Sequence, residues 1–168
     1  MAAGATYEPI ATQTLSSAAA SVTFSSISGS YTDLVIVGNF GTANGNCPLM
    51  QFNSDTGSNY SITELVGNGT SATSSRRSSA TSIDISKTVG GNGNLQQNFV
   101  ISIQNYSNST TYKTALVRHN MATGTYPGVT AIVGLWRSTS AITTIKLLTD
   151  GGNYNSGSTF TLYGIAAA

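Results

Sequence analysis

The sequence contains one histidine, His119, the residue type that most often serves as a general base near neutral pH. Ser-His-Asp catalysis requires a serine and a carboxylate to converge on that imidazole. No such constellation is visible around His119, which follows Arg118 at the end of an apolar segment. The carboxylates show no local pairing typical of acid–base catalysis; they are Glu8, Asp33, Asp55, Glu64, Asp84 and Asp150. We therefore predict no catalytic residues and a protein that is not an enzyme.

Residues 53–59, NSDTGSN, alternate oxygen-bearing side chains in a way that resembles a calcium loop. An EF-hand loop has glycine at its sixth position and glutamate at its twelfth. Here Gly57 stands fifth and Glu64 twelfth, so an Asx-turn loop is the preferred interpretation. Residues 90–94, GGNGN, are glycine-rich, but no Lys-Ser/Thr pair follows, which favours a hairpin loop over a phosphate cradle. We expect neither a metal nor a cofactor.

Arginines and tyrosines are the candidate contact residues. Arg76 and Arg77 lie in a Ser/Thr-rich run, residues 70–82, where they indicate either a docking point for an acidic partner or a solvated loop tip. Several tyrosines lie in or near predicted loops, where exposed rings stack on sugars or are buried in protein interfaces. The candidate interface residues are Arg76, Arg77, Tyr60, Tyr106, Tyr126 and Tyr154.

The polar part of the composition is unusual. Charged residues make up 8% of the chain, against roughly 25% in ordinary soluble domains. A net charge of +1 argues against nucleic acid as a partner, since binding it requires a clustered basic face. No segment has the length and apolarity of a membrane span, and residues 1–6 lack the features of a signal peptide. Low charge also favours association between molecules.

Apolar residues recur with period two along most of the chain, which predicts β-strands. In residues 98–104, NFVISIQ, the large apolar side chains fall on one face, whereas residues 34–37, LVIV, are apolar on both. Further strands are predicted at residues 8–15, 22–24, 49–52, 82–85, 112–119, 131–136, 142–148 and 159–165. Residues 58–65 are compatible with one helical turn capped by Asn59 or Ser61.

About ten short strands separated by Gly- and Asn-rich turns predict an all-β fold, a two-sheet antiparallel β-sandwich of the jelly-roll type. The two terminal strands should lie side by side in one sheet. We expect one domain over residues 1–168, with residues 1–6 as a flexible N-terminal arm. The predicted core residues are Leu34, Ile36, Phe99, Ile101, Ile103, Phe160 and Leu162.

Four stretches resemble a group of small virion proteins of tailed phages, common in marine and cyanobacterial viruses. They are residues 28–36 (SGSYTDLVI), 51–61 (QFNSDTGSNYS), 134–138 (GLWRS) and 157–165 (GSTFTLYGI). The resemblance spans nearly the whole chain and implies a non-enzymatic structural protein. Members of this group look like either head-decoration (cement) proteins or the tips of tail fibres.

We expect the first of these roles, a capsid decoration protein on the head surface, because the sequence has no heptads or β-repeats of the kind a fibre shaft needs. The alternative is a receptor-binding tail fibre or tail-tip domain that recognises a host surface glycan. The expected partners are the major capsid protein or other virion proteins, and the expected assembly is a homotrimer, by analogy with jelly rolls around threefold axes. The protein would be made in the host cytoplasm and reside on the phage particle.

Overall fold

Twelve β-strands make up the fold, and the described residues contain no α-helix. The structure is a computed structural model, and it describes residues 6–43, 46–86, 96–122 and 127–166. The strands are β1 (Tyr7–Thr14), β2 (Ser21–Phe24), β3 (Asp33–Phe40), β4 (Pro48–Phe52), β5 (Tyr60–Gly67), β6 (Ala72–Ala80), β7 (Ile83–Asp84), β8 (Gln97–Gln104), β9 (Lys113–Ala122), β10 (Pro127–Trp136), β11 (Ile145–Thr149) and β12 (Thr159–Ile165).

The strands form two sheets that enclose one core. The large sheet has the order β1-β12-β3-β8-β9-β10-β5-β6, and the small sheet has the order β2-β11-β4-β7. Every strand pair within them is antiparallel. These observations confirm the predicted two-sheet antiparallel β-sandwich and the pairing of the terminal strands β1 and β12. The jelly-roll topology is not confirmed, since that fold distributes eight strands over its two sheets, whereas here the sheets have eight and four.

The core lies between the sheets and contains all seven residues predicted for it, each at most 1% exposed. The alternation of β8 is a clear case, since Phe99, Ile101 and Ile103 point inward while Val100 and Ser102 point outward. Opposite Phe99 on β3 lies Gly38, where a Cβ atom would stand 2.5 Å from the Phe99 ring. A glycine is therefore required for this ring to pack flat against the sheet.

Two strands of the large sheet were not predicted. The helical turn expected at residues 58–65 is wrong, because these residues lie almost wholly in β5, which buries Tyr60, Ile62, Glu64 and Val66 on one face. The charged Glu64 interrupts the apolar half of that alternation, so the period-two signal is weak in the sequence. The loop expected at residues 70–82 is also wrong, because most of it forms β6.

Strand β6 escapes sequence reasoning for a different reason. It has the sequence ATSSRRSSA, with no apolar alternation, and nearly all of it is exposed. It lies at the edge of the large sheet and pairs only with β5. An edge strand outside the core needs backbone hydrogen bonds rather than an apolar face, so its side chains carry little strand signal.

Two further expectations concern the chain between and beyond the strands. Of the predicted N-terminal arm, residues 1–5 lie outside the described residues, and the Thr6 carbonyl accepts a hydrogen bond from the Ala166 N–H at 3.1 Å. The predicted hairpin loop at residues 90–94 also lies outside them.

Candidate interaction surface

Three of the four tyrosines predicted as contact residues are in the core. Tyr60, Tyr106 and Tyr154 are all 0% exposed, so the prediction that they form an exposed interface is wrong. Each hydroxyl donates to a backbone carbonyl: that of Tyr60 to Asp55 at 3.1 Å, that of Tyr154 to Leu148 at 2.9 Å, and that of Tyr106 to Ser28. A buried tyrosine is tolerated when its hydroxyl has such a partner.

The remaining predicted tyrosine, Tyr126, lies outside the described residues. The exposed tyrosines of the described chain are Tyr7 and Tyr112 instead. The ring of Tyr7 meets Tyr163 edge-on, with centroids 6.3 Å apart. Sequence reasoning missed their exposure because a tyrosine beside a turn has the same local pattern whether its ring points inward or outward.

The loop before β5 is built around Asp55 and confirms the Asx-turn interpretation. One Asp55 carboxylate oxygen accepts from the Gly57 N–H at 2.8 Å, and the other accepts from Asn59 Nδ2 at 2.9 Å and Trp136 Nε1 at 2.6 Å. Burial raises the pKa of the Asp55 carboxyl, but these hydrogen bonds lower it, and the net pKa is below its usual value. The loop thus holds its carboxylate in structural hydrogen bonds.

Arg76 and Arg77 occupy opposite faces of β6 rather than a loop tip. Arg77 points to the side of the small sheet, where its guanidinium lies 2.5 Å from the buried carboxylate of Asp84 on β7. Arg76 lies in the next position, exposed and on the other face. Adjacent residues in a strand point to opposite faces, so the two arginines cannot act as one patch. Only Arg76 keeps the exposed position expected of a contact residue.

A polar groove runs beside the Arg77–Asp84 ion pair and is also lined by Cys47 and Asp150. Asp150 accepts a hydrogen bond from the Cys47 N–H at 2.8 Å. The carboxylates of Asp84 and Asp150 are therefore both engaged in the structure of the chain itself. The charged groups of this groove hold the two sheets and a loop together.

His119 lies on the inner face of β9 and is 1% exposed. Its Nε2 atom is 2.9 Å from Oε1 of Gln97, and burial lowers the pKa of the imidazole to about 4. Thr130 on β10 lies directly opposite His119 and is buried, and the buried Glu64 on β5 is paired with Ile132, two residues further along β10. Among the described residues, His119 Nδ1, Thr130 Oγ1 and Glu64 Oε2 lack a hydrogen-bond partner. All three atoms are buried.

The outer face of the large sheet is the most distinctive exposed feature. Four aliphatic side chains on β5, β9 and β10 point away from the core: Leu65, Val129, Val133 and Leu116 are 60%, 58%, 50% and 48% exposed, respectively. We call these four residues the aliphatic patch. Ala131 lies between them, and a shallow groove lined by Leu65, Ala131 and Val129 extends to β6. Contiguous exposed apolar surface of this kind marks interaction sites in soluble proteins.

No family model matches the sequence, and no curated protein and no solved structure matches it either. Within the described ranges, no three His, Cys, Asp or Glu side chains come together as metal ligands. The same part of the chain contains no helix that could span a membrane.

Proposed function

We propose that this protein is a non-enzymatic structural component of a tailed-phage virion, a capsid decoration (cement) protein on the head surface. The proposal combines the sequence resemblance with one structural observation, the aliphatic patch on the outer face of a broad sheet. A sandwich with an exposed apolar face and few charges is suited to being covered by another protein. In a closely packed shell such a face would be covered, because each protein is surrounded by neighbours.

The partners under this proposal are the major capsid protein or other virion proteins, together with copies of the chain itself. Arg76 is the candidate for a directional contact with the shell, because it is exposed and its guanidinium offers several hydrogen-bond donors. Arg77 is no longer a candidate, since it is paired with Asp84. The expected homotrimer remains a prediction.

The alternative role is a tail-tip domain that binds a host glycan. It drew its support from loop tyrosines with exposed rings, and Tyr60, Tyr106 and Tyr154 are buried. Tyr7 and Tyr112 are the exposed aromatic rings that this alternative retains in the described chain. The burial of the other three weakens the case for sugar stacking, so we favour the decoration role.

The copy number of the protein in purified virions tests the proposal. Quantitative mass spectrometry should find a copy number close to that of the major capsid protein, in a ratio that is the same from one preparation to the next. Electron microscopy with a bound antibody should label the head. A copy number matching one or a few oligomers per particle, with label at the tail, would instead support the glycan-binding alternative. Absence from purified particles would exclude both virion roles.

A further inference from the structure

The aliphatic patch is continuous across neighbouring strands. Val133 on β10 lies directly opposite Leu116 on β9, and Ala131 lies opposite Leu65 on β5. In the row that contains Ala131, the β9 position is Arg118; on its far side, Val100 of β8 lies opposite Val37 of β3, which is also exposed. Directly opposed side chains on one face have Cβ atoms about 4.5–5.5 Å apart, which is contact distance for aliphatic groups. Aliphatic residues therefore recur on five adjacent strands, β5, β10, β9, β8 and β3.

This face is large enough for a stable interface. Five strands at about 4.8 Å spacing and eight residues at about 3.4 Å rise span about 24 Å by about 27 Å, or about 650 Å² in projection. The accessible area of a surface with side-chain relief exceeds its projection. A standard interface buries about 800 Å² on each partner. The face alone thus supplies an area close to what a stable dimer needs.

The charge of the face suits a second copy of this chain. Arg118 and Asp33 are the charged side chains among the described outward residues of β3, β8, β9 and β10, and the outward residues of β5 are uncharged. The other outward residues there are aliphatic, hydroxyl or amide side chains, which bring no charge repulsion when two copies meet. The net charge of the whole chain is +1, so the repulsion between two copies is also small.

The edges of the large sheet are poorly suited to association. On one edge, β6 carries Arg76 and Arg77 at adjacent positions, which would meet like charges in an antiparallel pair of β6 strands. On the other edge, β1 contains Pro9 and an irregularity of register between Pro9 and Ala11. Charges, proline and bulges are the devices that prevent edge-to-edge pairing. Of the exposed parts of the large sheet, the outer face is therefore the one better suited to contact between copies.

From these observations we infer that the outer face of the large sheet, centred on the aliphatic patch, packs against a second copy of this chain. Sheets pack face to face through aliphatic layers of this kind. A twofold axis along β10 places Arg118 over Leu65 on β5 of the second copy, and not against another Arg118, so the methylene stem of the arginine covers apolar surface there. The biological role of this contact rests on the proposed function, in which copies of the chain meet on a particle. The contact itself can be tested without a virion.

The test is analytical ultracentrifugation of the purified full chain and its variants over a range of concentrations. The unchanged protein should sediment as a dimer or larger assembly. Val133→Lys should raise the dissociation constant at least about tenfold for each lysine that it buries, because it places a charge in an aliphatic layer. A symmetric pair buries two such lysines, so the expected increase is about a hundredfold. Val133→Thr keeps the β-branched shape and should weaken association to a smaller extent. Ser25→Lys adds the same charge at an exposed position next to the small sheet and should have no effect.

Circular dichroism should show that all three variants keep the β-sheet spectrum, since the substituted side chains are exposed. Dissociation of a dimer by the Val133 variants but not by Ser25→Lys supports the inference, whereas a closed trimer contradicts it, because the interfaces of a trimer join two different patches. A wild-type protein that stays monomeric at high concentration overturns it, as does an assembly unaffected by either Val133 variant. Its failure is distinguishable from failure of the proposed function, because virion copy number is measured separately.

Discussion

Asp55 shows how single polar side chains organise this protein. Its two carboxylate oxygens accept hydrogen bonds from the Gly57 amide, Asn59 and Trp136, and the last of these joins the loop before β5 to the end of β10. The Tyr60 hydroxyl donates to the Asp55 carbonyl, and burial raises the pKa of Tyr60 to about 12. The side chains that looked like metal ligands or contact residues thus hold a loop in place.

Replacing Asp55 with Ala should destabilise the fold by about 2–4 kcal/mol, because it removes charged acceptors and leaves the buried Trp136 N–H without its partner. The measurement is urea unfolding followed by Trp136 fluorescence. Thr56→Ala, at an exposed neighbouring position, is the matched control and should change stability by less than about 0.5 kcal/mol. Equal effects of the two substitutions would contradict the structural role of Asp55.

His119 should make stability depend on pH. Burial lowers its pKa to about 4 in the folded chain, whereas an unfolded histidine titrates near 6.5, so the unfolded state binds the proton more readily. The unfolding free energy is therefore greatest with respect to this group above about pH 6.5, where His119 is neutral in both states. It should fall by about 3 kcal/mol as the pH drops to about 4. Carboxylates contribute to the same trend, so the comparison is with His119→Gln, measured by urea unfolding across this range. The variant should lose less stability; parallel pH profiles would contradict the prediction.

At the scale of elements, β6 and β7 connect the two sheets at one side of the sandwich. Strand β6 is the edge of the large sheet, and β7 is the edge of the small one. The Arg77–Asp84 ion pair joins them, and Asp84 is almost fully buried while Arg77 is partly exposed. Such a pair helps to fix the position of one sheet edge against the other, since its geometry is lost if the edges move apart.

Arg77→Ala should destabilise the protein by about 1–2 kcal/mol, because it removes a partly exposed cation beside a buried carboxylate. Arg76→Ala provides a control on the same strand, and it should change stability by no more than about 0.5 kcal/mol. Thermal unfolding of both variants provides the measurement. A larger loss for Arg76→Ala than for Arg77→Ala would mean that the faces of β6 are assigned incorrectly.

At the scale of the whole molecule, both sheets contribute to one continuous core. Phe52 of the small sheet packs against Trp136 of the large one, with ring centroids 5.6 Å apart, and Tyr60 stacks on the same indole. A second aromatic group, formed by Phe40, Tyr154 and Phe160, lies in the same buried cluster. Neither sheet has a separate core, so neither should be stable without the other.

The protein should therefore unfold in a single cooperative transition. Trp136 fluorescence reports the contact between the sheets, and far-ultraviolet circular dichroism reports the strands. At one protein concentration the two probes should give coincident urea unfolding curves, as two-state behaviour requires. Two separate midpoints would show that part of the sandwich unfolds independently.

The sequence by itself determined the all-β class, the two-layer arrangement, most of the strands and the buried face of β8. These properties follow from the alternation of side chains along each strand, which is local and can be read from neighbouring residues. The predicted pairing of the two terminal strands was also correct. Strands β5 and β6 were missed. In β5 the buried Glu64 interrupts the apolar alternation, and β6 is an exposed edge strand with no apolar alternation.

Only the tertiary structure decided which polar and aromatic side chains are available for contacts. Tyr106 and Tyr154 pack into the hydrophobic core, and their burial is tolerated because backbone carbonyls accept their hydroxyl hydrogens. The Asp55–Trp136 hydrogen bond joins residues 81 positions apart, and no local pattern encodes such a partner. The aliphatic patch likewise exists only because β5, β10 and β9 become neighbours in a sheet. Burial and hydrogen bonding depend on side chains brought together from distant segments. The strands could therefore be predicted from the sequence, whereas the residues exposed on the surface could be identified only from the tertiary structure.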